Sequence, residues 1–275
     1  MKRLLAILAL LLACSQAHAM QLYWKNTNVD GLWFTTGNWW EDQAGTNTPH
    51  GALPISGDSC SYATGETATV SITMGTVVDL GAGSCNLTLV ITGGTNEIQS
   101  GTFSGTISNH CLISGGVFNA LVTNGDGAGN NGVITGGTFA ALDNNVGSTI
   151  TAGTFTQGGH NFGSVYGGVW MGGTLYNRSG GVIFGGLCQY DEVNDAGGII
   201  NGGVFPSGIA NAGTINGGIF TSAYFTNTGT INGGQWWLSG QMRVNGVQIK
   251  ASSDPVPAST FKSTLVTSDT LLGGL

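Results

Sequence analysis

Apolar positions along this chain return in pairs, an Ile or Val followed five residues later by a large side chain. The pairs are Ile98 and Phe103, Ile113 and Phe118, Ile134 and Phe139, Ile150 and Phe155, Val165 and Trp170, Ile183 and Cys188, Ile200 and Phe205, Ile215 and Phe220, and Ile231 and Trp236. Successive Ile/Val positions are 15, 21, 16, 15, 18, 17, 15 and 16 residues apart. A fixed period with scattered insertions is the mark of a solenoid. Such a unit is too short for two packed helices, and its Val, Ile, Thr and Phe content favours strands. After the aromatic position apolar and polar residues alternate, so that Phe103, Gly105, Ile107 and Asn109 share one face, as do Phe205, Ser207, Ile209 and Asn211. The five-residue step from Ile to Phe is odd, and strict alternation would put the two on opposite faces. The Gly-Gly between them is where a bulge or corner restores the register. The pattern predicts an all-β fold, a single-stranded parallel β-solenoid with coils of about 15–16 residues, each holding two short strands.

Polar positions carry a second period. An Asn follows the aromatic position by six residues at Asn109, Asn124, Asn145, Asn161, Asn194 and Asn211; Asn177 and Asn227 fall one residue later, and the last coil has Met242 instead. Asn tolerates tight turns, but a fixed register points further, to an internal ladder of stacked amides bonded from coil to coil. With coils about 4.8 Å apart, nine of them make a rod roughly 40–50 Å long, stabilised by neighbour stacking. Cys188, in an aromatic position, reads as a buried thiol.

The ends differ from the middle. Residues 1–19 read as a secretory signal, with Lys2 and Arg3, an apolar run Leu4 to Ala13, and Ala17-His18-Ala19 before the cut. A rival reading takes Leu11-Leu12-Ala13-Cys14 as a bacterial lipobox, with lipid on Cys14 as the only membrane anchor. Both send the chain out of the cytoplasm, to a secreted or outer-surface location. Residues 20–61 form a Trp-rich front segment, 62–250 the solenoid, and 251–275, rich in Ser, Thr and Pro, a flexible tail. Past residue 19 the cysteines are Cys60, Cys85, Cys111 and Cys188. Cys111 and Cys188 lie about five coils apart, over 20 Å, too far to bridge; Cys60 and Cys85 are the candidate disulfide.

The chain has 49 Gly in 275 residues, and only 8% of its residues are charged. Without its first 19 residues it keeps five basic side chains against 14 acidic ones, a net of −9. Nothing in this resembles a phosphate-binding footprint, so nucleic acid is not an expected partner.

In the front segment Trp24, Gly31-x-Trp33, Asn38-Trp39-Trp40 and Pro54-x-x-Gly57-Asp58 follow in order. This resembles the opening of many exported bacterial β-helix surface proteins, including autotransporter-passenger-like ones. Repeats such as Ile134-Thr-Gly-Gly-Thr-Phe139 are similar to the Gly-Gly-Thr-Phe repeats of those proteins. The resemblance implies a right-handed β-helix, surface exposure and a structural or adhesive role, and carries no catalytic residues across. Residues 251–275 hold no barrel or sorting signal of the kind self-secreting relatives use. The Trp cluster has two readings: a cap over the open solenoid end, or a glycan-stacking platform built of Trp24, Trp33, Trp39 and Trp40.

Candidate chemistry is sparse. Asp126 in the Gly-rich insertion 125–132 and the acidic run Asp191, Glu192, Asp195 offer oxygen ligands for Ca²⁺; against them stands the plain reading as turn and solvated loop. The run is the metal candidate of the chain, and no other cofactor is implied. Glycoside hydrolysis wants two carboxyls about 5–10 Å apart. Asp143 and Glu192 count to the same coil position three coils apart, roughly 14 Å. His110 and His160 beside ladder Asn read as turn residues. An ice-binding array would need Thr on both sides of Gly-Gly throughout; only Thr135/Thr138 and Thr151/Thr154 supply it. The expected function is thus a structural or adhesive solenoid without catalysis, with glycans or cell-surface and matrix components as partners. The alternative is a carbohydrate-binding or polysaccharide-degrading β-helix. Oligomeric state is left open.

Overall fold

The computed structural model describes residues 20–25, 27, 33, 35–44, 49–55, 58–63, 66, 69–72, 77–92, 96–221, 225–236, 242–244 and 247–250. The expected signal segment 1–19, with Cys14, and the expected tail 251–275 lie outside them. Among the described residues there are 31 strands and one 3-10 turn, Thr36–Asn38. All strands but the last two form a single sheet wound on itself as a parallel β-solenoid of about nine coils, each of roughly 16–17 residues.

A typical coil has three short strands, not two. Gly159–Asn161, Ser164–Val165 and Val169–Trp170 make one coil. Each pairs in register with its counterpart in the next: Asn161 with Asn177, Val165 with Ile183, Trp170 with Cys188. The third strand arises because the run from Phe to Asn bends between them in most coils. Among the described residues it stays continuous only in Val117–Asn124 and Thr138–Asn144, the former bulged against the latter between Phe118 and Leu121. The alternation seen in the sequence survives the bend, so Phe, Ile and Asn still face inward.

The corner between the Ile and aromatic strands shows why two glycines recur there. In the coil of Phe139, a Cβ on Gly136 would lie 2.2 Å from the Ser114 carbonyl oxygen of the coil below, and Gly137 has φ +105°. The first glycine answers close backbone approach and the second a left-handed backbone.

Inside run three columns. Ile98, Ile113, Ile134, Ile150, Val165, Ile183, Ile200, Ile215 and Ile231 form one, all buried. The aromatic column stacks face to face: Phe103–Phe118–Phe139–Phe155–Trp170 have ring centroids 4.6–5.2 Å apart and planes within 18°. It is interrupted at Cys188 and resumes as Phe205–Phe220 at 5.0 Å. The third column is the amide ladder. Each Asn Nδ2 donates to the Oδ1 of the next coil: Asn109 to Asn124 (2.7 Å), Asn124 to Asn144 (2.8 Å), Asn144 to Asn161 (2.7 Å) and Asn161 to Asn177 (2.8 Å). It continues from Asn177 to Asn194 (2.7 Å), Asn194 to Asn211 (2.6 Å) and Asn211 to Asn227 (2.5 Å). Its ends are tied to backbone, by Cys111 N–H donating to Asn109 Oδ1 and Asn227 Nδ2 donating to the Gly229 carbonyl.

One expected ladder residue is wrong. Asn145 is not a rung; Asn144 is, because the step from Phe139 to the ladder has five residues where most coils have six. Asn145 is half-buried and donates instead to the Gly125 carbonyl at 2.7 Å. Asn177 and Asn227, one residue late by count, are in register in space.

Candidate functional site

The residue before each ladder Asn points out of the rod, since its neighbours on the strand point in. This outer row reads Ser108, Thr123, Asp143, His160, Tyr176, Val193, Ala210, Thr226, paired in register from coil to coil. Its middle gathers the main charged and aromatic chemistry of the solenoid. Asp143 Oδ1 lies 2.9 Å from His160 Nδ1, and the His160 ring packs 5.4 Å from Tyr176. Arg178 and Asp195, each just past a ladder Asn, meet in adjacent coils at 2.7 Å, and the Arg178 guanidinium sits 4.5 Å from the Tyr176 ring centre. The ion pair is about a third exposed, so its worth to stability is only about 0–1 kcal/mol. Two grooves meet at Thr174 and Tyr176. One, of about 370 Å³, is bordered by Leu121, Asp143 and His160. The other, of about 320 Å³, is bordered by Asp191, Val193 and Thr226.

The proposed metal run does not converge. Asp191 Oδ1 accepts from Ser207 Oγ at 2.9 Å and from the Gly208 N–H. Asp195 is bound to Arg178. Glu192 faces the core, between Leu175 and Ile209 in its row. Only Glu192 lies on the strand Glu192–Asn194, whose alternation turns it inward, while Asp191 and Asp195 flank that strand. Among the described residues no three His, Cys, Asp or Glu side chains gather to hold a metal ion. Asp126 likewise closes its own loop, accepting from the N–H groups of Ala128 and Asn130 and from Asn130 Nδ2; these bonds hold its carboxyl below its ordinary range.

Glu192 is 1% exposed and neither carboxyl oxygen has a partner. Burial pushes its carboxyl well above the usual range, with the nearby Cys188 thiol acting in the opposite direction. The acid is therefore held protonated in the core, in the coil where Cys188 replaces an aromatic ring. The expectation that Asp143 and Glu192 share a coil position fails for the same reason: Asp143 is in the outer row of Val193, one residue off.

The glycan-stacking platform is also overturned. Trp24, Trp33, Trp39 and Trp40 are 0, 2, 0 and 9% exposed. Gln21–Trp24 pairs with Ser59–Tyr62 in parallel and with Trp39–Trp40 antiparallel. Trp33 and Trp39 meet edge to face at 4.8 Å, and Trp39 Nε1 donates to the Trp33 carbonyl at 2.8 Å. Rings packed against each other in this way offer no face to a sugar.

Cys60 and Cys85 are in register in neighbouring strands, buried, and present as free thiols. Sequence reasoning missed Tyr176 and Thr174, and took His160 for a turn residue. The signal was present: the position before each ladder Asn is the outward one, and Asp143, His160 and Tyr176 occupy it in three successive coils. No family model, curated protein or solved structure matches this chain.

Proposed function

We propose that the protein is a secreted or cell-surface structural or adhesive β-solenoid without catalysis of its own, of the exported bacterial kind that its front segment and Gly-Gly-Thr-Phe repeats resemble. One observation carries this reading: the five acids from Asp126 to Asp195 are each already bound or buried. Asp126 is bound by its own loop, Asp143 by His160, Asp195 by Arg178 and Asp191 by Ser207 and Gly208, while Glu192 is sealed in the core. Asp143 and Asp191 stand three coils apart, roughly 14 Å, too wide for the paired carboxyls of glycoside hydrolysis. The stacked rings and continuous ladder suit a stiff spacer or display rod. Surface fractionation and attachment assays with the purified chain test the reading. Retention at the cell surface or in the medium, with attachment to cells or matrix, supports it; release of product from a polysaccharide refutes it.

A carbohydrate-binding role is the second reading, favoured by the two grooves that meet at Tyr176. Its polar borders, Asp143, His160, Thr174 and Asp191, suit sugar hydroxyls. A glycan array separates the two. Binding that is lost in Tyr176→Ala supports a lectin-like rod, whereas silence across plant, algal and bacterial glycans leaves the first reading.

A further inference from the structure

The aromatic column does not begin with aromatic residues. Its lowest positions are Leu22, Cys60 and Cys85, in register in successive parallel strands, and Phe103 follows above Cys85. Both thiols are 1% exposed. In-register neighbours of a parallel pair sit about 4.8 Å apart, inside the Cα separation of ~4.4–6.8 Å that a disulfide spans. Both side chains leave the sheet on the same face. The strands are also held together beside the pair, by Ser84 Oγ donating to Ser59 Oγ at 3.1 Å and by Asn86 N–H donating to the Cys60 carbonyl at 3.0 Å. The Cys85 thiol is the largest influence raising the Cys60 thiol above its ordinary range, ahead of burial, so the two sulfurs are in each other's reach. The two small side chains stand next to each other in the column, between Leu22 and Phe103.

We propose that Cys60 and Cys85 are a cross-linking site, closing into one intramolecular disulfide that fastens the Trp-rich cap to the first coil. The inference is independent of the functional reading, since it needs only a disulfide oxidant such as oxidised glutathione or an exchange-active protein disulfide. One cysteine thiolate attacks the oxidant and expels one thiol, leaving a mixed disulfide. The second thiolate attacks that bond and expels the other thiol. The two protein thiols lose two hydrogens and two electrons, and the oxidant is reduced to two thiols. Because both thiols are out of water and the Cys60 thiol is raised above its ordinary range, exchange is slow once the coils have closed. The bond forms while the chain folds and is then shielded from reductants. Cys111, in the turn after Asn109, and Cys188, in register with Trp170, stand in other coils and stay reduced.

The test refolds the full chain in a glutathione redox buffer, alkylates it in denaturant and digests it at acidic residues, which separates the two cysteines at Glu66 and Asp79. The expected result is a pair of peptides joined through Cys60 and Cys85, released by reduction, with Cys111 and Cys188 fully alkylated. A chain refolded under reductant should also melt on the order of 5–10 °C below the oxidised chain, a gap absent from the Cys60→Ala/Cys85→Ala chain. Alkylated Cys60 and Cys85 in a chain that has regained its β-sheet circular dichroism would overturn the proposal, as would linkage to Cys111 or Cys188.

Discussion

Asn177 donates its side-chain amide to Asn194 Oδ1 across 2.7 Å while its own Oδ1 accepts from Asn161 at 2.8 Å. Every rung between Asn109 and Asn227 is bound on both sides in this way, and all seven bonds run in one direction. Removing a middle rung strands a donor below and an acceptor above, each buried, at about 1–3 kcal/mol apiece. Asn177→Ala should therefore lose about 2–6 kcal/mol in denaturant unfolding. Asn109→Ala, at the end of the chain with one amide neighbour, should lose less.

Glu192 makes stability depend on pH with a definite sign. Its folded-state carboxyl titrates above its ordinary value of 4.5, so the folded chain keeps a proton that the unfolded chain has released. The contribution is fully present below about pH 4.5 and drains away as pH rises toward the folded value. Thermal midpoints of the wild type should fall between pH 4 and 8 by more than those of Glu192→Leu. The variant, with Leu175 and Ile209 as neighbours in its row, should be the more stable of the two at pH 7. Equal pH profiles would contradict the buried, protonated acid.

The paired glycines predict a contrast. Gly136→Ala drives a methyl into the Ser114 carbonyl of the coil below and should cost at least about 1–3 kcal/mol. Gly127, in the exposed loop with φ +72° and no atom within 4 Å of an added Cβ, should lose only its backbone preference, about 1 kcal/mol. Thermal unfolding of both variants checks the ranking.

The Trp cluster behaves as core. Trp39→Ala removes a fully buried ring and the bond from Nε1 to the Trp33 carbonyl, and should cost about 3–5 kcal/mol. A tryptophan emission shift toward the red as the cap loosens should accompany it. Added glycans should not quench the emission of the intact chain through this cluster.

The fold was legible because Ile, Gly-Gly and Phe answer constraints that act within one coil and repeat in the next. Asn144 was missed because counting from Phe139 assumes a fixed step, and a bulge in the coil below takes up the residue that the step lacks. The metal run was misread for a different reason: Asp191, Glu192 and Asp195 are close in sequence, but strand alternation turns Glu192 inward while Arg178, a coil away, claims Asp195. The groove at Tyr176 draws on residues from several coils, and it becomes visible once the ladder has set the register.

Side-chain amide NMR on chain carrying ¹⁵N-labelled asparagine reads the in-register ladder rung by rung. Slow exchange is expected at Asn109, Asn124, Asn144, Asn161, Asn177, Asn194 and Asn211, with cross-peaks linking each to the next, and fast exchange at the exposed Asn130 and Asn131. Ladder amides exchanging as fast as Asn130, or Asn145 in the chain of cross-peaks where Asn144 should be, would contradict it.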